Sequence, residues 1–309
     1  MKRKDMLGLR DVSREEIVEI LDTADRFKSI GERRIKKVPT LRGRTVVSLF
    51  FENSTRTKVS FDLAAKRLSA DGVGISASTS SAKKGETLMD TARNINAMQP
   101  DAVILRHSCA GAPHMVANAF PFSVINAGDG INEHPSQGLL DMLTMRQHLG
   151  EIEGKTIAIV GDVYHSRVAR SNIYGLTTMG ARVLVAGPGT MCRPEMEKLG
   201  VEVRHTVDEV LDEADALMML RIQRERLSPG MLASSREYRE FYGLDLKRLA
   251  RAGENTLVMH PGPINRGVEM APDVADHAQS VIMDQVTNGI AVRMALLFLL
   301  LGGEGGRDE

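Results

Sequence analysis

The chain has 309 residues, room for about two domains of ordinary size. It is 42% hydrophobic and 26% charged, which excludes a disordered, collagen-like or mucin-like chain. Lys and Arg together number 40 and so do Asp and Glu, Trp is absent, and aromatics make up 4%. Neither the basic surplus nor the stacking platforms of a nucleic-acid or anionic-membrane binder are present, so any anion site must be local.

In chain order, short β-branched apolar runs alternate with helical patterns. Thr45 to Phe50 reads as a buried strand, and Phe61, Ala64, Ala65 and Leu68 give the i, i+3, i+4, i+7 face of a helix. Gly74 to Ala77 is a weaker strand, Thr87 to Met98 a helix, Ala102 to Leu105 a strand, Pro113 to Ala119 a helix and Ser123 to Asn126 a strand. Pro135 suits the first turn of a helix running to about His148. The pattern then repeats, with strands at Thr156 to Val160, Arg182 to Val185, Ala216 to Leu220 and Thr256 to Met259, and helices between them. Gln285 to Leu301 is a last apolar helix and Gly302 to Glu309 a Gly-rich charged tail. This alternation predicts an α/β protein of two lobes, each a mainly parallel sheet flanked by helices, joined by the Pro135 to Leu149 helix. The expected boundaries are residues 1–149, residues 150–284 and a C-terminal segment 285–309 that packs back on the first lobe.

Cys109 and Cys192 lie far apart with no CxxC, which argues against a zinc ribbon or a disulfide framework. Met1 to Ile17 lacks the apolar core of a signal peptide, and the apolar run Met294 to Leu301 is too short to span a bilayer. The expectation is a cytoplasmic protein without metal, cofactor, membrane or nucleic acid. Two nucleotide-like motifs are set aside. Gly72 to Ala77 fits G-x-G-x-x-A but starts a strand where a dinucleotide loop follows one, and Gly150 to Thr156 is one residue short of a P-loop and also precedes a strand.

Ligands in open α/β sheets bind past the carboxyl ends of the strands, and the chemistry-bearing residues follow the strands here. Glu52-Asn53-Ser54-Thr55-Arg56-Thr57-Lys58 ends one strand and opens a helix with hydroxyls and cations. Free N–H groups at a helix start, hydroxyl donors and a forked guanidinium suit a phosphate, although an ordinary Ser cap with solvated charges satisfies the same residues. Arg106-His107 closes a second strand and His134-Pro135-Ser136-Gln137 follows a third. A carbonyl group near Thr57, Arg106 and His134 would meet several donors, the arrangement that stabilises an oxyanion. In the second half, Arg167 follows Gly161 to Ser166, and Arg221 to Arg226 and His260 to Gly267 each follow a strand. Arg167 and Arg221 together can hold a dicarboxylate; each alone is an ordinary solvated arginine. Ser80 to Thr87 carries Lys83-Lys84-Gly85-Glu86, which by itself reads as a polar loop.

As an ordered set, S-T-R-T, R-H, H-P-x-Q, K-K-G-E-T, R-x-Q-x-E-R and H-P-G-P-x-N-R-G-V-E resemble the catalytic chains of aspartate carbamoyltransferases, from about Leu7 to Leu300. The sibling ornithine enzymes share the first-lobe motifs but typically carry H-C-L-P where this chain has His260-Pro261-Gly262-Pro263. The resemblance implies transfer of a carbamoyl group from carbamoyl phosphate to L-aspartate, without cofactor, in pyrimidine synthesis. It implies that Ser54, Thr55, Arg56 and Thr57 bind the phosphate, that Thr57, Arg106 and His134 hold the carbamoyl oxygen, and that Gln137 meets the carbamoyl amine, with Gly262 and Pro263 near its nitrogen. Arg167 and Arg221 would bind the aspartate carboxylates with help from Gln223. Ser80 and Lys84 would enter from a neighbouring subunit of a homotrimer, Lys84 reaching both substrates. Glu52 would tie the lobes by pairing with Arg167 and Arg226 on closure. Asn53, Lys58 and Gly262 stand where the family often has Pro, Arg and Leu. A transcarbamoylase for another amino acid such as ornithine, and a non-catalytic scaffold, remain the alternatives. Association with a dihydroorotase or a regulatory chain is left open.

Overall fold

A computed structural model of the chain describes residues 2–76, 85–223, 230–232 and 234–302. The chain forms two compact units. The first takes the residues up to Leu143 and those from Thr287 onward, and the second is Thr144–Val286.

In the first unit, α1 (Arg14–Glu32), on which the strand-and-helix reading above is silent, opens with a capping box. The Ser13 side chain accepts from the Glu16 N–H, and the Glu16 side chain accepts from the Ser13 N–H. Ile17, Ile20, Leu21 and Ala24 make its buried face. Then come β1 (Thr45–Phe50), α2 (Thr55–Arg67), β2 (Asp71–Ser76), α3 (Leu88–Asn96), β3 (Ala102–His107), α4 (Ala112–Ala119), β4 (Ser123–Asp129) and α5 (Pro135–Leu149). The strands form a fully parallel sheet in the order β2-β1-β3-β4.

Strand side chains alternate between faces, and the core follows that period. Val46, Ala102, Ile104 and Ile125 lie on one face with Phe61 and Ala64 of α2 and Leu68 at its C-cap. Val47, Leu49, Val103, Leu105 and Val124 lie on the other with Ala92 and Ile95 of α3 and Val116 of α4. The first of these faces is completed by Met294, Leu297 and Leu301 of the last helix, α10 (Ile282–Leu301). That helix starts earlier than the apolar run suggests, and by length and composition it is apolar enough to cross a membrane. Most of it is buried within the fold.

In the second unit, β5 (Thr156–Val160), α6 (Arg167–Thr178), β6 (Arg182–Ala186), β7 (Glu202–Arg204), β8 (Ala216–Met219), α7 (Ser235–Tyr242), α8 (Leu246–Ala252), β9 (Leu257–Met259) and α9 (Pro272–Ala275) follow in order. Its sheet is again parallel, in the order β7-β6-β5-β8-β9. The edge strand β7 was not legible in the sequence, because three half-buried residues with two charges carry no hydrophobic period. Gly72 and Gly74 lie inside β2, and Gly150 and Gly154 turn the chain into β5 with positive φ, so neither glycine motif forms a nucleotide loop.

Asp5 to Leu9 lie along the outer edge of β4. The Met6 N–H donates to the Val124 carbonyl (2.9 Å), the Asn126 N–H donates to the Met6 carbonyl (2.9 Å), and the Leu9 N–H donates to Glu133 Oε2 (2.6 Å). A Cβ on Gly8 would overlap Glu133 Oε1 and stand 2.7 Å from its Cδ. Gly8→Ala should therefore dislodge this buried carboxylate and destabilise the fold by about 1–3 kcal/mol, read as a drop in the urea midpoint at constant slope.

Candidate active site

All strands of a parallel sheet end on one edge, and the candidate residues collect there. In the first unit they follow β1, β3 and β4, three adjacent strands. In the second they follow β5, β8 and β9, also adjacent.

The start of α2 is open. Ser54 is its N-cap residue but makes no side-chain cap bond; its hydroxyl donates to Thr57 Oγ1 (3.0 Å). Its first turn holds no acidic residue, whereas α1, α3, α6, α7 and α8 each begin with a side chain accepting from the backbone. The N–H groups at this end thus face outward together with the exposed Arg56 and Thr55, an arrangement suited to an anion. Thr57 is buried.

Arg106 comes out of β3 and is buried. Its Nη1 donates to the Ala127 carbonyl (2.8 Å), and its Nε lies 3.5 Å from Glu52 Oε2. His134 and Gln137, both buried, sit where β4 hands over to α5, and Gln137 Nε2 donates to Asp141 Oδ1 (2.9 Å). His107, adjacent to Arg106, has a different task. Its ring packs against Phe51 (4.9 Å between centroids) and its Nδ1 accepts from the Cys109 N–H (2.9 Å). Burial holds its imidazole below the usual range, against the raising pull of Glu52 and Asp129.

In the second unit the buried Arg167 opens α6 behind the Ser166 cap. Arg221 and Gln223 flank the buried Ile222 just after β8. The Ile222 carbonyl accepts from Asn265 Nδ2 (3.0 Å), which pins this segment to the loop after β9. That loop is built on His260, whose N–H donates to Gln285 Oε1 (3.0 Å) and whose Nδ1 accepts from the Gly262 N–H (2.8 Å). His260 Nε2 lies 3.2 Å from Glu269 Oε1, which also accepts from the Asn265 N–H (2.5 Å). Gly262, with φ of 66°, and Pro263 are held in place by this buried network. Arg266 of the same run is instead fixed in an exposed ion pair with Asp276. Ser80, Lys84 and Arg226 lie outside the described residues. Among the described residues no cluster of His, Cys, Asp or Glu is placed to hold a metal ion.

Asp129, Asn126 and Glu133 are buried polar residues at the end of β4 and in the loop after it that none of the motifs includes, and Glu269, also buried, closes the H-P-G-P-x-N-R-G-V-E run, where it was given no role. The available signal was the Asp129-Gly130 pair directly after a strand, which reads as a turn and nothing more.

Residues 4–147 match the carbamoyl-P binding domain of aspartate/ornithine carbamoyltransferases, and residues 153–300 match the Asp/Orn binding domain. The chain belongs to the aspartate/ornithine carbamoyltransferase family. It is 60% identical over 306 residues to the aspartate carbamoyltransferase catalytic subunit of Syntrophotalea carbinolica, covering 99% of this chain and 98% of that one. Among solved structures it is similar to the aspartate transcarbamoylase of Trypanosoma cruzi in complex with N-(phosphonacetyl)-L-aspartic acid, with a TM-score of 0.86 and 30% identity over 96% of this chain and 95% of that one. Ornithine carbamoyltransferase from Pyrococcus furiosus superposes as well, with a TM-score of 0.85 and 30% identity over 97% of each chain. Backbone shape therefore marks the family, and side chains must mark the second substrate.

The open start of α2 makes Arg56 the side chain whose loss is felt by a bound anion and by little else. Arg56→Ala should weaken inorganic phosphate binding about 10-fold to 100-fold by calorimetry, the worth of one charged hydrogen bond, with the thermal midpoint unchanged because the side chain is exposed.

Proposed function

We propose that the chain transfers the carbamoyl group of carbamoyl phosphate to the amine of L-aspartate, giving N-carbamoyl-L-aspartate and phosphate, a step of pyrimidine synthesis. The observation that carries the choice of aspartate is the near full-length match, at 60% identity, to a curated aspartate carbamoyltransferase catalytic subunit. Arg221 and Gln223 after β8 and Arg167 on α6 give the second unit cations and an amide for two carboxylates.

In this reading Ser54, Thr55, Arg56 and Thr57 hold the phosphate group. Thr57, Arg106 and His134 point donors at the carbamoyl oxygen, Gln137 contacts the carbamoyl amine, and Gly262 and Pro263 lie near its nitrogen. The aspartate amine attacks the carbonyl carbon, the oxygen takes up negative charge, and the C–O bond to phosphate then breaks. The departing phosphate accepts the proton that the amine loses. Orientation of two substrates and preorganised donors at the oxyanion supply the rate; no nucleophilic side chain is needed. Glu52 ties the two units through Arg167 and Arg226 on closure.

The functional unit is a homotrimer with shared sites, in which Ser80 and Lys84 of one subunit serve its neighbour. The outer faces of α2 and β2 support this reading. Val59 (48% exposed) and Leu63 (38%), four residues apart, leave an apolar pair on the outer side of α2, and Val73 (50%) is exposed on the edge strand β2, the kinds of surface that a subunit contact covers. We place the protein in the cytoplasm, in keeping with the free thiols of Cys109 and Cys192.

With carbamoyl phosphate saturating, aspartate should be carbamoylated and ornithine should not, in parallel assays of product formation. Turnover of ornithine alone would move the chain to the sibling activity, and turnover of neither would leave a scaffold. The shared site is tested by reassembling Arg56→Ala with Lys84→Ala. Each alone should be nearly inactive, and random mixing into head-to-tail trimers should restore about one-quarter of all sites. No recovery in hybrids confirmed by native mass spectrometry would put Lys84 outside its neighbour's site.

A further inference from the structure

Asp129, the last residue of β4, is fully buried, and among the described residues no Lys or Arg bonds its carboxylate. Its Oδ1 accepts from Asn126 Nδ2 (2.7 Å) and from the Glu133 N–H (3.1 Å). Its Oδ2 accepts from the Gly111 N–H (2.7 Å) and from Asn132 Nδ2 (3.1 Å). Its own N–H donates to the Glu133 carbonyl (3.2 Å), so the loop from Gly130 to Glu133 is closed from both sides. Gly130, with φ of 50°, packs so tightly on Ser108 and Ala110 that a Cβ would stand 2.8 Å from backbone atoms of each.

Two side chains with proposed roles at the carbamoyl oxygen leave this knot. His134 directly follows Glu133. Arg106 is bound through the Ala127 carbonyl, in a turn that Asn126 closes by accepting from the Gly128 N–H (2.8 Å) while its amide donates to Asp129. We propose that Asp129 is a positioning residue for Arg106 and His134, its carboxylate setting the direction of both donors at once. The inference rests on the roles given to those two residues above.

The chemistry at position 129 favours a carboxylate over its isosteric amide. All four groups that meet its oxygens are donors, and a carboxylate is acceptor on both oxygens. An amide would turn an NH2 group toward an N–H and leave that donor unmet.

The test uses the full chain and the variants Asp129→Asn, His134→Ala and their combination. Asp129→Asn, shown to be folded by circular dichroism and thermal melting, should lower kcat about 10-fold to 100-fold, because small misplacements of catalytic donors cost that much. The KM for aspartate should stay within about twofold, since aspartate is assigned to residues of the second unit. In the His134→Ala background the same change should cost at least about threefold less than in the wild type, because the part of its effect that passes through His134 is already lost and only the part through Arg106 remains. Equal costs in both backgrounds would mean that nothing passes through His134 and overturn the proposal that both donors are set at once, as would a wild-type kcat for folded Asp129→Asn beside a collapsed His134→Ala. A wild-type kcat for His134→Ala would instead overturn the reading on which the proposal rests. If Asp129→Asn does not fold, Asn132→Ala removes a single donor from a half-buried position and should show a smaller kcat loss that again shrinks with His134→Ala.

Discussion

The site depends on a constraint of parallel sheets: every strand must end on the same edge, because each crossover helix carries the chain back to start the next strand. Both units obey it. The orders β2-β1-β3-β4 and β7-β6-β5-β8-β9 set β1, β3 and β4, and separately β5, β8 and β9, side by side. Residues as distant in sequence as Glu52, Arg106 and His134 reach a common edge without any further device. Glu52 and Arg106, 54 positions apart by number, end 3.5 Å apart.

A chain with zero net charge must build anion sites from local geometry. At the phosphate site proposed in the first unit, α2 does so by withholding what other helices supply. Ser54 turns its hydroxyl to Thr57, no acidic residue occupies the first turn, and the N–H groups stay available. The second unit works differently. The cations and glutamine proposed for its substrate follow β5 and β8, and the buried His260 and Glu269 with the half-buried Asn265 fix the loops around them. An orienting network suits a substrate recognised by its shape, and an open helix start suits a phosphate that many donors can meet.

The sequence was most readable where chemistry and chain position coincide. Ser54 to Lys58 lie within one helix turn, so their joint meaning can be inferred without knowing the fold. The strands were readable as apolar runs because both faces of each sheet are covered. The supports were not. Asp129 gathers Gly111 from the start of α4, Asn126 from within β4, and Asn132 and Glu133 from the loop ahead of α5. Nothing in the spacing of those residues announces that they meet. The capping box of Ser13 and Glu16 was legible in principle, but a helix ahead of the first strand carries no site residue to draw attention to it.

The last helix shows why the end of the chain matters to the site at its beginning. Arg293 enters a fully buried position, where its guanidinium lies over Phe61 (5.0 Å) and donates to Ser60 Oγ (3.0 Å) and the Gly289 carbonyl (2.9 Å). Burial pulls its pKa down to about 10, and the charge of Asp141 works against that fall. Asp141 is the same carboxylate that accepts from Gln137. The charge of Asp141 therefore acts on the Arg293 guanidinium while its Oδ1 holds Gln137. Through them α10 is coupled to α2 on one side and to Gln137 of α5 on the other. The residues from Thr287 onward therefore do two things for the first unit: they cover the sheet face of Val46, Ile104 and Ile125, and they complete the charge balance behind a residue proposed to touch the carbamoyl group.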